Sequence, residues 1–313
     1  MPEKIIIDTD PGIDDALAIF YALAIKELDI VGLTAVFGNA DVEVCALNAI
    51  RLLEMAGRPD IPVAQGARMG LSTPYQKPFG LVHGDDGLGN TNLPIPKGKP
   101  VQQSAAEFII EQVEAHPGEI TLAPIGPLTN LALAIHLKPD IAKKVKRVVL
   151  MGGAAFVPGN VHPAAEANIH SDPEAADVVF RADWDIAMVG LDVTEKICIT
   201  PQDVAQFEQS PKTTAQFIGK SIPHYMNFYM RNKTYPGCYM HDATVISYIL
   251  HPELFEVVQH PITIGLTGSG RGKTWAWLPQ HIWRQDGQTQ KKVGILVNAD
   301  SETVLNKLFD ALL

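Results

Sequence analysis

Four carboxylates fall within eight residues in the segment Asp8-Thr9-Asp10-Pro11-Gly12-Ile13-Asp14-Asp15, with no Lys or Arg among them. Like charges this close repel unless one is protonated or a cation is bound. Oxygen donors without His or Cys suit a hard cation, Ca²⁺ or Mg²⁺, better than zinc. Capping of the following helix explains part of the cluster, with Asp14 as the cap and Asp15 complementing the helix dipole. That reading leaves out Asp10, across the Pro-Gly turn, so a metal site is expected here.

Such a cluster needs a scaffold that brings it to a point. Lys4–Asp8, Ile30–Val36, Glu119–Ala123, Arg147–Met151 and Asp185–Gly190 are short, β-branched and apolar nearly throughout. Runs of that kind suit strands buried on both faces, as in a parallel sheet. Amphipathic segments near 14–26, 41–57, 103–116, 127–137 and 172–182 lie between them. The alternation predicts βαβ units: an α/β, Rossmann-like open sheet, mostly parallel, flanked by helices. In such sheets, sites form just beyond the carboxyl ends of strands, where the acidic cluster falls.

After about residue 195 the rhythm changes. Helical segments near 200–209 and 212–231 come without strands between them, and Ile262–Leu266, Trp275–Leu278, Ile282–Arg284 and Lys292–Val297 suggest a β-rich edge. Trp275, Trp277 and Trp283 read as packing residues of that edge. The Gly- and Pro-rich stretch 66–100 is long enough to expect a lid or binding loop. With no linker, repeat or composition shift, 1–313 is expected to be a single domain.

Composition narrows the function. The chain has 313 residues, 46% hydrophobic and 19% charged, which is a globular composition and excludes disorder. The net charge of −10 argues against nucleic acid and anionic membranes as partners. Three cysteines, Cys45, Cys198 and Cys238, do not make a disulfide framework. The start Met1-Pro2-Glu3-Lys4 lacks a signal sequence, and the long uncharged stretch Ile120–Leu137 is broken by Pro124, Pro127 and Asn130. A cytoplasmic protein is expected.

The string Asp8–Asp15 resembles the nucleoside hydrolases, ribohydrolases preferring inosine, uridine or related nucleosides. Further strings agree in family order: Phe37-Gly38-Asn39, Val82-His83-Gly84, Gly126-Pro127-Leu128-Thr129-Asn130, Met151-Gly152-Gly153, Ala165-Glu166-Ala167-Asn168, Asp172-Pro173-Glu174-Ala175-Ala176, Gly190-Leu191-Asp192-Val193-Thr194 and Met240-His241-Asp242. The resemblance implies one Ca²⁺ at the bottom of a ribose pocket, held by Asp10, Asp15, Asp242 and the carbonyl of Ile125. It implies Asp10 as the base that activates water, positioned by Asn39, and His241 as the leaving-group acid. Asp14 and Asp242 would bind ribose hydroxyls, with Asn160, Glu166 and Asn168 on the 5′ and 3′ groups. His83, Tyr225, Tyr229 and His241 would line the base pocket. A small-molecule ribonucleoside is the implied partner, and a homo-oligomer, tetramer or dimer, the implied assembly.

Bland roles compete for several of these residues. Glu166 and Asn168 could serve as caps, although Asp172-Pro173-Glu174 already provides a helix start. Tyr225 and Tyr229, four apart on one helix face, could simply pack with Met226 and Phe228. The chain also departs from the family. Ala167 stands where Phe is common, His162 where small hydroxyl residues are common, and 66–100 contains no Trp of the kind that stacks purines. Ala167 bears on packing around the 5′ group, whereas His83 and the absence of Trp in 66–100 favour non-specific or pyrimidine-preferring members. Two other functions stay open: a nucleoside-binding protein without turnover, and a haloacid-dehalogenase-like phosphatase. The latter resembles Asp8-Thr9-Asp10 but wants Thr or Val where Gly12 stands. An EF-hand is excluded, since D-x-[DN]-x-[DN]-G with a distal Glu is absent.

Overall fold

Ile5, Ile6 and Ile7, consecutive in the first strand, are all fully buried, and they serve opposite layers. Ile5 and Ile7 join one core cluster and Ile6 the other, because successive strand side chains alternate faces. This is why the strand reads as a continuous apolar run. The computed structural model describes residues 2–75, 80–231, 236–279 and 291–313.

The strands and helices are, in chain order, β1 Glu3–Thr9, α1 Ile13–Ala24, β2 Leu28–Ala35, α2 Val42–Met55, β3 Val63–Gln65, β4 Val101–Ser104, α3 Ala105–Ala115, β5 Ile120–Pro124, α4 Thr129–Leu137, β6 Arg147–Met151, α5 Ala167–Ser171, α6 Pro173–Arg181, β7 Ile186–Val189, α7 Leu191–Thr194, β8 Cys198–Ile199, α8 Pro201–Gln209, α9 Thr213–Met230, β9 Cys238–Tyr239, α10 His241–Leu250, β10 Phe255–Ile264, β11 Thr274–Ala276, β12 Lys292–Ala299 and α11 Ser301–Leu312. Ten strands form one sheet in the order β11-β10-β12-β7-β6-β5-β1-β2-β3-β4. From β12 to β4 every neighbouring pair is parallel, whereas β10 and β11 run antiparallel at one edge. The mostly parallel sheet with a β-rich edge is therefore the expected one. A separate two-stranded ribbon pairs β8 with β9.

Helices cover both faces. Leu17 of α1, Ile218 of α9, Val245 of α10 and Val304 of α11 pack with Ile5 and Ile7. Phe108 of α3, Leu131 of α4 and Val179 of α6 pack with Ile6. The chain runs β1, β2, β3, β4 outward on one side of β1, then crosses back to β5 on the other. The sheet order thus reverses between β1 and β5, where open α/β folds bind ligands.

Some elements differ from expectation. β3 and β4 are too short, at three and four residues, to stand out by periodicity. β10 starts at Phe255 rather than near 262, because its alternating polar residues belong to an antiparallel strand near the sheet edge. α10 and α11 have no counterpart in the segments read from the sequence. Trp277 packs with its indole N–H on Thr263 Oγ1 at 2.8 Å, but Trp275 is half-exposed beside the Lys273 ammonium rather than packed. Trp283 and the run Ile282–Arg284 lie outside the described residues. Among the described residues no helix is long and apolar enough to cross a membrane.

Candidate active site

The register places the tips of three strands at one level, with Asp8 opposite Thr34 of β2 and Pro124 of β5. The backbone then turns through Pro11 and Gly12, and α1 begins at Ile13. Asp15 is the third helical residue. Its Oδ2 accepts from the Gly12 N–H at 2.8 Å, and its Oδ1 accepts from the Thr9 hydroxyl at 2.5 Å. Asp15, not Asp14, therefore does the capping, by the reach-back of a residue three beyond the cap. Asp14 turns elsewhere, with Oδ2 accepting from the Tyr225 hydroxyl at 3.1 Å.

Asp10 is anchored by the next strand's exit loop. Its Oδ2 accepts from the Asn39 backbone N–H at 2.8 Å, while the Asn39 side-chain amide donates to Asp15 Oδ2 at 3.1 Å. Asn39 thus ties two of the acids together, one through backbone and one through side chain. From the far side of the chain, α10 starts at His241 and brings in Asp242. Asp14, Asp15 and Asp242 each offer an oxygen within 4.8 Å of the others, which is a grouping able to hold a metal ion. Asp10 lies outside this tightest set, although the Asp15 charge raises its pKa and its own charge raises that of Asp242.

These acids are all buried, and burial is the largest cause of their raised pKa values. Asp14 and Asp15 rise to about 6. Asp10 and Asp242 are driven further up by burial together with the neighbouring carboxylates. Asp10 Oδ1 and Asp14 Oδ1 are buried without a hydrogen-bond partner. Oxygens left this way cost ~1–3 kcal/mol each unless something binds them. Buried, mutually repelling, oxygen-only and partly unpaired carboxylates fit a hard divalent cation.

The cluster makes stability depend on pH and metal together. Unfolded, Asp14 and Asp15 ionise near 3.8, whereas folded they keep their protons to about 6. Between those values the folded chain binds more protons, so this contribution lowers stability as pH rises, on the order of 3 kcal/mol per carboxyl. A cation that binds the ionised acids offsets the loss. The rise in Tm on adding a divalent cation to chelated protein should be several degrees greater near pH 7.5 than near pH 5, measured by thermal unfolding. An equal rise at both pH values would count against cation binding by these acids.

The remaining expected residues separate into two groups. Asn168, in the first turn of α5, donates to the Ile125 carbonyl at 2.9 Å and the Met151 carbonyl at 3.2 Å. It thereby joins the tips of β5 and β6 at the site. Glu166 is the buried cap of α5, its two oxygens accepting from the backbone of Gly153, Asn168 and Ile169. The capping role is thus realised, on a helix not foreseen upstream of Asp172. Asn160 is exposed, and its Oδ1 accepts from the Ala167 N–H at 3.0 Å.

The aromatic residues form a continuous wall. His83 stacks on Tyr225 with ring centroids 5.3 Å apart, and Tyr225 meets Tyr229 edge-on at 5.1 Å. The Tyr225 and Tyr229 hydroxyls are 3.3 Å apart, and Tyr229 Oη lies 2.9 Å from His241 Nε2. The two tyrosines pack in the core as well, so the packing and site roles coincide. His83 Nδ1 accepts from the Ile13 N–H at 3.1 Å. Its loop is held by Asp86, whose carboxylate accepts from the backbone of Leu88, Asn90 and Asn92. Burial pushes His83 down to about 4 and His241 to about 3. Burial therefore favours the neutral imidazole at His241.

Sequence reasoning passed over three residues that build the site: Thr9 on Asp15, Thr194 on His241, and Asn130. Asn130 donates to Asp8 Oδ1 at 2.7 Å and to the Ala35 carbonyl at 3.0 Å, while its own carbonyl accepts from Ala67. Thr194 and Asn130 both end strings recognised upstream, which was the available signal.

A family profile described as inosine-uridine preferring nucleoside hydrolase matches residues 5–306. The chain belongs to the inosine-uridine preferring nucleoside hydrolase family. It is 43% identical over 314 residues to a probable uridine nucleosidase 2 of Arabidopsis thaliana, covering 99% of this chain and 98% of that protein. A plant nucleoside hydrolase structure superposes with a TM-score of 0.97 at 38% identity, covering 100% of this chain and 99% of that one. A purine-preferring ribonucleoside hydrolase from Gardnerella vaginalis gives 0.93 at 30% identity, covering 99% and 98%. The phosphatase alternative loses its basis, since the Asp8–Asp15 string belongs to a nucleoside hydrolase. Relatives with different base preferences share this fold, so the fold alone does not set the preference of a nucleoside hydrolase.

Proposed function

We propose that the chain, as one hydrolase domain, cleaves the N-glycosidic bond of ribonucleosides to ribose and free base with Ca²⁺ in the acidic cluster. The observation that carries this reading is the buried acid set at the sheet reversal, with two unpaired carboxylate oxygens and an aromatic wall beside it. Asp10, Asp15, Asp242 and the Ile125 carbonyl would hold the ion, with Asp14 close enough to share it. Bound there, Ca²⁺ supplies a hard Lewis acid that anchors a diol and lowers the pKa of water.

The chain's own residues carry the remaining work. Asp10 has Oδ2 engaged by Asn39 and Oδ1 free to take a proton from the attacking water. The water oxygen bonds to C1′ as the C1′–N bond breaks, and His241 would donate its Nε2–H as a hydrogen bond to the departing base, whose proton is then supplied from solvent as Asp10 gives up the one it took from water. Positive charge grows on the ribosyl ring in such a transition state, and buried carboxylates stabilise it. Asp14 and Asp242 would bind the lower hydroxyls, and Asn160, Glu166 and Asn168 the 5′ and 3′ groups. His83, Tyr225, Tyr229 and His241 would contact the base.

With no Trp in 66–100 and histidine in the base wall, pyrimidine ribosides or a broad range including inosine are favoured. A cytoplasmic homo-oligomer, tetramer or dimer, completes the proposal. The test is ribose release from inosine, adenosine, guanosine, uridine, cytidine and thymidine, before and after exhaustive chelation. Chelator-sensitive release from ribosides with little from thymidine is expected. Release that survives complete metal removal would sink the Ca²⁺ role. A purine preference above about a hundredfold, equivalent to ~2.7 kcal/mol, would sink the pyrimidine reading.

A further inference from the structure

Thr194 is fully buried at the end of α7, and its Oγ1 lies 2.7 Å from His241 Nδ1. A buried hydroxyl carries one proton that must find an acceptor, or it costs ~1–3 kcal/mol. His241 Nδ1 is the partner the structure gives that hydroxyl. If Nδ1 carried a hydrogen, it would donate to the threonine oxygen, and the threonine proton would be left without an acceptor. If Nδ1 is bare, the hydroxyl donates to it and the ring proton sits on Nε2.

The opposite end of the network requires the same direction. The Tyr225 hydroxyl donates to Asp14 Oδ2 at 3.1 Å. Having given its hydrogen there, Tyr225 Oη can only accept from Tyr229, 3.3 Å away. Tyr229 Oη in turn accepts from His241 Nε2 at 2.9 Å. The direction fixed at Asp14 and the direction fixed at Thr194 meet at one imidazole and agree.

We propose that Thr194 is a positioning residue, whose hydroxyl holds His241 in the tautomer that carries its proton on Nε2, toward Tyr229 and the base pocket. The proposal rests on His241 as the donor to the leaving base and deepens that reading. A histidine with the proton on Nδ1 would turn a lone pair toward the base and could not donate to it. Second partners of this kind commonly set which imidazole nitrogen bears hydrogen.

The experiment compares uridine with 4-nitrophenyl riboside, whose phenolate departs without a proton, in the metal-loaded enzyme. Thr194→Val keeps the branched shape and removes the hydroxyl, and Thr194→Ser restores it. His241→Ala calibrates the assay. Thr194→Val should lower kcat on uridine about 100-fold and leave the nitrophenyl substrate within about threefold, with Thr194→Ser recovering most of the loss. Equal losses on both substrates, or none on either, would overturn the proposal provided His241→Ala is selective for uridine. If His241→Ala is not selective, the leaving-group reading itself has failed. A readout independent of the variant's folding is ¹⁵N NMR of the imidazoles in the wild-type enzyme. Hydrogen on Nε2 and a bare Nδ1 at His241 are expected, and the reverse pattern overturns the assignment.

Discussion

Asp10→Asn should reduce kcat on uridine by about 10³- to 10⁴-fold while leaving uridine binding within about tenfold. The asparagine keeps the shape and can still accept from the Asn39 N–H, as Asp10 Oδ2 does at 2.8 Å. What it lacks is a second oxygen able to take a proton, and in the wild type that oxygen is the unpaired Oδ1. The same change removes one of the mutually repelling charges that, after burial, push Asp10 and Asp242 well above the usual carboxylate range. Metal-free Asp10→Asn should therefore melt higher than metal-free wild type, so that stability and activity move in opposite directions. Calorimetric titration with uridine, metal content and turnover measured on one preparation separate the cases. Turnover within tenfold of wild type would remove Asp10 as the base. A wild-type protein that binds uridine and releases no ribose would establish the binding-protein alternative.

Gly38→Ala should cost about 100-fold or more in kcat/KM with the fold retained. A Cβ at Gly38 would run into Asp10 Oδ2, and one at Gly126 would come within 2.5 Å of Asp10 Oδ1. Backbone from the loops after β2 and β5 therefore closes on both sides of this carboxyl. Gly38 does not adopt positive φ, so the effect is steric and not a matter of backbone strain. Asp10 cannot yield without breaking its bond to Asn39 in the same loop. Overpacking of this kind costs ~1–3 kcal/mol of stability. Displacing a reacting group by about an ångström costs ~10²-fold in rate. Steady-state kinetics beside a thermal melt checks this, and activity within threefold of wild type would mean that the carboxyl has room to move.

How much of this was legible depended on the range of the interactions. The parallel strands were readable because burial on both faces leaves a local mark, as in Ile5-Ile6-Ile7. The short strands β3 and β4 were not, since pairing with a neighbour rather than their own composition makes them strands. The acidic cluster was readable as chemistry because four like charges without a counter-ion need a reason wherever they sit. Family strings then supplied Asp242 and His241, which spacing could not connect to residues more than two hundred positions away.

By itself the sequence determined the α/β class, the acidic segment at the end of the first strand and membership in a nucleoside hydrolase family, all of which reside in local pattern. Only the tertiary structure decided which acid caps α1, that Asn39 holds Asp10 by its backbone, that Glu166 caps α5, and that Thr194 faces His241 Nδ1. It also decided that burial lowers the His241 pKa. The physical reason is common to all of these. Which lone pair meets which hydrogen, and how much water a charged group loses, depend on neighbours brought together by folding, and no residue type carries that information along the chain.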